Sequence, residues 1–310
     1  MGMDLLQEHL IRARASGGVF AQSAAIPPWG LRLGGTIQLA IHTVTQGHAW
    51  LWTAEGEDPL ELIPGDLALV RGGADHFIAS EPGADCVSPD EFRSLHAADE
   101  GRFDNRGAVF LCGAYRFAGD IGARLVEELP QVLSLPASID DPIHGVVTLL
   151  SREMTHAEPG RQTVLDRLLD VLVVLALRAG LARSASAPAW FRAASDPRLS
   201  AALQAMHSKP GELWTVDDLA KLSSMSRATF ARVFQQVLGQ PPMRYLADWR
   251  MTLARDLLLD QDTALTDIAE RVGYSSLYAF ATAFRRHHGQ PPGRWRRQAA
   301  LGAPVGMPGH

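Results

Sequence analysis

The chain is poor in cysteine: Cys86 and Cys112 are the only two in 310 residues. Two thiols cannot make a disulfide framework, and the pattern favours a reducing compartment. Long apolar runs are absent too. The most apolar stretch, Val171–Leu177, is far short of a membrane span and follows Asp170. The opening "MGMDLLQEHLIRARASGG" lacks an apolar core long enough for a signal peptide. The expectation is a cytoplasmic protein that does not enter a membrane. A strong charge of either sign is also missing, the formal net charge being −5. That charge is unevenly spread: residues 198–300 hold 14 basic and 9 acidic side chains, leaving +5 there and −10 elsewhere. A basic C-terminal third on an acidic chain points to a nucleic-acid face, although solvated surfaces often carry as much.

What is present is a length for two domains and a hydrophobic content of 46%. Residues 20–117 read as short strands. "TIQLAIHTV" alternates and stops at Gln46–Gly47, "HAWLWTA" follows, and a turn region covers Gly56–Pro59. "LELIPGDLALVRGG" is two strands about Pro64–Gly65–Asp66, and "RGAVFLCGAYRFAG" is one more. This spacing predicts a small β-barrel or sandwich. From about residue 120 the period becomes helical. "IGARLVEELP" stops before Pro130, "DPIHGVVTLLSREMTHA" opens on Asp-Pro, and "QTVLDRLLDVLVVLALRAG" is apolar nearly all round and ends at Gly180. Such a helix is buried in a core or in a subunit interface. "LARSASAPAWFRAASDP" reads as a linker, after which Asp196 is expected to cap a helix starting at Pro197.

The phrase "GQPP" occurs at Gly239–Pro242 and again at Gly289–Pro292. Aligned outward, "DLAKLSSMSRATFARVFQQVLGQPP" lies over "DIAERVGYSSLYAFATAFRRHHGQPP" with one residue inserted where a turn must fall. Each copy reads as a short helix, a turn at Ser224 or Gly273, and a longer helix closed by Gly and Pro. Ala220 and Ala269 allow close helix approach. Phe230/Phe234 and Phe280/Phe284 are i,i+4 pairs on one face. Thr215 with Asp218 has the form of a capping box. Taken singly, such a pattern serves equally well as a packing hairpin.

The doubled layout, joined by "MRYLADWRMTLARDLLLD", resembles the DNA-binding region of the AraC/XylS family of transcription regulators, over roughly residues 196–299. The resemblance implies that each second helix enters a major groove of double-stranded DNA. The outward residues are then Arg227, Ala228, Ala231 and Arg232 in the first copy and Leu277, Tyr278, Ala281 and Thr282 in the second. Arg232 stands at the family's base-reading position. Thr282 stands where many relatives carry Arg, so strong guanine reading by the second copy is in question. Arg285, Arg286, Arg294, Arg296 and Arg297 are expected phosphate contacts. The family also implies RNA polymerase as a partner.

In the N-terminal half, Gly65, Arg71, Gly73 and His76 resemble the second cupin motif, with Arg71 in place of its proline. "IHTVTQGHAWLW" resembles the end of the first. "PPWG", "HTVTQG", "GDLALV" and "LCGAYRF" look like the subgroup in which some members sense oxidants or electrophiles. Catalytic cupins hold a metal, but Ala40 occupies the glutamate position and Gly34–Thr36 the histidine pair. That loss argues against a metal-dependent enzyme fused to a DNA-binding domain, which is the rival reading. His42 and His76 are candidate effector-binding residues, with Trp29, Trp50 and Trp52 as candidate walls, against the ordinary reading of tryptophans in a small barrel as core. A rebuilt metal site using His42, His76 and His48 is the alternative to simple pocket histidines. Cys112 and Cys86 are redox candidates, against the reading of two inert thiols. No cofactor is expected.

The expected organisation is α+β. A cupin-like sensor barrel spans 1–119 and a helical dimerisation segment 120–182. A linker spans 183–195, a double helix-turn-helix domain 196–300, and a disordered tail 301–310. The expected function is an activator of transcription, a homodimer, controlled by a small molecule or an oxidant.

Overall fold

The computed structural model describes residues 16–34, 37–54, 58–96, 107–117, 119–136, 138, 141–156, 158–183 and 187–300. Gly56, the ligand positions at 35 and 36, part of the expected linker and the tail from Leu301 lie outside the described residues.

Among the described residues, nine strands form two antiparallel sheets. The first has the order β1 (Ser16–Ala25), β8 (Ala108–Arg116), β3 (Leu39–Gln46), β6 (Leu67–Arg71) and β9 (Val132–Leu135). The second has β2 (Gly30–Leu33), β7 (His76–Ala79), β4 (Ala49–Thr53) and β5 (Leu60–Leu62). Side chains from both sheets meet in one core, among them Leu31, Ala40, Val44, Leu51, Leu62, Val70, Ile78 and Phe110. Gly47, with φ +72, makes the expected turn between β3 and β4, and a Cβ there would strike the Gly107 carbonyl. Helix α1 (Pro89–His96) adds Phe92 to this core. The reading of residues 20–117 as strands alone therefore missed a helix. Its signal was Ser88-Pro89-Asp90-Glu91: the Ser88 hydroxyl accepts from the Glu91 amide, and two acidic residues occupy the first turn. The four-residue β9 was also missed, lying between two helical patterns.

Helix α2 (Gly119–Glu127) precedes β9. Helices α3 (Pro142–Thr155) and α4 (Arg161–Arg183) follow it, with Asp141 capping α3 as its Asp-Pro start predicts. The apolar girth of α4 goes into its own chain. Leu165, Leu169, Leu172, Val173, Ala176, Leu177 and Leu181 are buried. Gly180 lies so close to β9 that a Cβ would overlap Leu133, and the Tyr115 hydroxyl donates to Asp170 Oδ1 at 2.8 Å. The helix packs on β1 and β9 of the first sheet, whose central strand β3 is buried along most of its length.

β1–β9, α1, α3 and α4 make one compact unit, and α5–α12, together with most of α2, a second. The second unit is all helical. Apart from α2 it comprises α5 (Ala189–Ser195), α6 (Ser200–Ser208), α7 (Val216–Leu222), α8 (Arg227–Leu238), α9 (Pro242–Leu258), α10 (Leu265–Arg271), α11 (Leu277–His288) and α12 (Pro292–Ala300). Two expectations need correction here. The stretch read as a linker contains α5, because Trp190 and Ala193 are buried and hold it as structure. Asp196 ends α5 rather than capping the next helix, and its carboxylate is taken by Arg198. α6 starts at Ser200 instead of Pro197.

Candidate functional site

In the helical unit, two helix pairs carry matching end structures. Thr215 and Asp218 form a complete capping box at the start of α7. Ser226 and Ser276 each accept the amide three residues on, at 3.2 Å, so α8 and α11 begin alike. Gly239 and Gly289 end them in the left-handed region, at φ +76 and +74. The prolines that follow then open α9 and α12, because proline suits a first turn. "GQPP" thus stops one helix and starts the next. Ala220 and Ala269 are buried where α7 and α10 approach their partners, and Ser224 and Gly273 make the turns with positive φ.

Phe230, Val233 and Phe234 face the interior of α8, as Phe280 and Phe284 do in α11. The opposite faces are open. Arg227, Ala228 and Arg232 are exposed and Ala231 is half-buried. Leu277, Tyr278 and Thr282 are exposed and Ala281 is half-buried; Tyr278 is 83% exposed. Arg227 is held back toward α7 by Asp217 at 3.1 Å, whereas Arg232 reaches only Gln236 on its own helix, at 3.4 Å. Arg285, Arg286, Arg294 and Arg297 are exposed. Arg296 departs from its expected role as an open phosphate contact: it is half-buried, with Nε and Nη2 covered. His287, on the last turn of α11, sits 3.2 Å from Asp248 of α9, a link that no sequence pattern suggested.

The sheet unit holds a cavity of about 280 Å³, walled mainly by apolar side chains of β1, β2, β3 and α1. His42 of β3, His76 of β7 and Cys112 of β8 border it. β7 belongs to the second sheet, so the 2.9 Å contact between His42 Nε2 and His76 Nε2 joins the two sheets through the core. On its other side His42 Nδ1 lies 3.0 Å from Cys112 Sγ, its cross-strand neighbour. Burial holds the His42 pKa well below 6.5, and repulsion from His76 adds to this. Burial also lowers His76 to about 4, with Asp75 opposing. The Cys112 thiol is pushed up to about 12 by burial. All three groups are therefore uncharged at neutral pH, linked by shared protons rather than by charge.

Trp29 and Trp50 do not wall this cavity. Trp29 is core, stacked on Phe110 with centroids 4.7 Å apart. Trp50 and Trp52 share the strand face opposite the buried Ala49, Leu51 and Thr53, and Trp52 stacks on Phe77. His48 is exposed beside the turn at Gly47, apart from the histidine pair. Among the described residues no three His, Cys, Asp or Glu are placed to hold a metal ion. Cys86 is a free thiol outside the cavity, against Gly30, with its pKa raised by burial and by Asp85. The residues that sequence reading missed are Phe92, Arg93 and His96 of α1, which close one side of the cavity.

Comparison with known proteins agrees with both halves of this layout. A family model described as Cupin matches residues 4–182, and one described as Helix-turn-helix domain matches residues 219–298. A putative AraC-like transcription regulator of Streptomyces lividans is 28% identical over 305 residues, covering 96% of this chain and 100% of that protein. The RCS-specific HTH-type transcriptional activator RclR of Escherichia coli (strain K12) is 28% identical over 85% of this chain and 86% of its own. A crystal structure of a transcriptional regulator with an AraC-type DNA-binding domain, from Chromobacterium violaceum, is 32% identical; it covers 35% of this chain and 96% of that one, with a TM-score of 0.33. No helix among the described residues is long and apolar enough to cross a membrane. The chain belongs to the AraC family of DNA-binding transcription regulators, with a cupin domain as its N-terminal half.

Proposed function

We propose that the protein is a sequence-specific regulator that grips two successive major grooves with α8 and α11, under the control of a small molecule or oxidant met in the N-terminal cavity. The carrying observation is the pair of like-capped helices with open outer faces, joined by α9. Arg232 is the base reader of α8, since guanidinium pairs bidentately with guanine. Leu277, Ala281 and Thr282 of α11 meet thymine methyls instead. Arg285, Arg286 and Arg294 bind phosphates and set the register. The sensor lies within residues 1–119, the helices of 120–182 dimerise it, and the reader lies within 196–300. Exposed Leu149, Val164 and Val171 on α3 and α4 support the dimer. Activation of transcription is supported by the E. coli relative's description as an activator, and RNA polymerase is the partner that activation requires. Cys112, hydrogen-bonded to His42 at the cavity, is the better oxidant target; Cys86 is the weaker one. Sensing shifts the population of the DNA-competent form.

Selection of genomic fragments by the full-length protein, with and without oxidant, tests this reading. The expected product is a motif of two short boxes about one helical turn apart. Fragments without any shared motif under both conditions overturn it. A motif indifferent to oxidant leaves the small-molecule form of control standing and removes the thiols from it.

A further inference from the structure

We infer that the N-terminal cavity binds a small, uncharged, largely apolar molecule carrying one hydrogen-bonding group, a hydroxyl or a carbonyl, held at the Cys112–His42–His76 chain. The inference rests on the regulatory reading only for its consequence, not for the binding itself. Size sets the first limit. An apolar cavity of about 150 Å³ takes benzene, so one of about 280 Å³ takes on the order of ten heavy atoms. Walls such as Leu31, Leu33 and Phe92 select an apolar body.

The polar end is set by the chain of hydrogen bonds. Cys112 Sγ, His42 and His76 are linked at 3.0 and 2.9 Å. With neutral rings, the protons can run in only two directions. In one, the thiol donates to His42 Nδ1 and His42 donates to His76. In the other, His76 donates to His42, His42 donates to sulfur, and the thiol proton is free. The sulfur end therefore offers an acceptor in the first arrangement and a donor in the second. A hydroxyl suits the first, a carbonyl the second. At the far end His76 Nδ1 is buried with no partner among the described residues, in a residue only 3% exposed. Such an orphan marks a site in which hydrogen bonding is incomplete.

Charged ligands are disfavoured by the same residues. The two rings and the thiol carry no charge to balance an anion or a cation, and burying an unpaired ion is costly. The nearest arginine, Arg93, stands on α1 with Asp90 already on its guanidinium.

The test titrates the full-length protein at neutral pH with n-octanol, octanoate, octylammonium and n-octane, by thermal shift and by ligand-observed NMR. n-Octanol is expected to bind at least about tenfold more tightly than either ion, and more tightly than n-octane. Ala40→Leu fills the cavity from β3 and is expected to abolish this binding. Cys112→Ala is expected to bring n-octanol down to the affinity of n-octane; should it not fold, Ala40→Leu still decides. Octanoate binding as tightly as n-octanol places the polar contact at Arg93 and overturns the inference. So does n-octanol binding that survives Ala40→Leu, or no n-octanol binding at all. If n-octanol binds as expected but leaves affinity for the selected fragments unchanged, the site and its ligand class stand and only the regulatory reading falls.

Discussion

Arg227 and Arg232 lie on the same helix with the same charge, and we propose the less constrained Arg232 as the base reader. Arg227 is tied to Asp217, while Arg232 projects from the open face of α8 with a single long contact to Gln236. Arg232→Ala is expected to weaken specific binding by about 1–3 kcal/mol and to relax the preference at one position. Titration against the selected site and its single-base variants checks this; an unchanged preference removes Arg232 as the reader. The histidine pair gives a second prediction at this scale. Its folded-state pKa values lie below the ordinary 6.5, so the unfolded chain takes up protons first as pH falls. The stability from neutral burial is complete above 6.5 and is lost progressively as pH falls toward about 4. Urea midpoints across that window measure the slope, and His76→Gln is expected to flatten it.

At the scale of elements, the two helix pairs differ in their turn residue, Ser224 at φ +50 in the first and Gly273 in the second. Gly273 has φ +79, and a Cβ there would meet Arg250 and the Gly211 carbonyl. Arg250 cannot easily move, since it donates to the carbonyls of Pro210 and Glu212 at 2.7 Å. Gly239 has a similar φ but open space around it. Gly273→Ala is therefore expected to lower stability by about 1–3 kcal/mol, and Gly239→Ala by less. Equal losses in urea melts would show that backbone strain alone matters at both. The last turn of α11 holds Arg285 and Arg286, both exposed. Arg285→Ala is expected to weaken binding to every DNA alike and to reduce the salt slope by about one. Affinities over a range of salt concentrations, on specific and random duplexes, check that.

For the whole molecule, the joint between the readers matters more than either reader. α9 has 17 residues, a rod of about 25 Å at about 1.5 Å per residue. A rod of that length fits the proposed placement of α8 and α11 in neighbouring grooves on one side of the duplex. Adding about five base pairs between the two boxes turns one box to the far side. Affinity is expected to fall by about tenfold or more, and to recover in part with about ten added. Binding indifferent to spacing would mean that one helix does the reading.

Much of this was determined by local sequence. Gly and Pro at the helix ends, the Thr215–Asp218 pair, and the paired phenylalanines act within a few residues of each other. Their consequences are therefore readable without a structure. The strand pattern around Gly47 and Gly65 was legible for the same reason. Tertiary structure decided what depends on which strands meet. His42 and His76 are thirty-four positions apart, and only the facing of two sheets puts their nitrogens 2.9 Å from each other. Cys112 joins them because β8 pairs with β3 in one particular register. Trp29 looked like a wall and proved to be core, since its surroundings come from Phe92 and Phe110. The apolar helix α4 was ambiguous for a like reason: periodicity says that a face is buried, but only packing says against what. Here it is the chain's own sheet, closed at Gly180 by a contact too tight for any side chain.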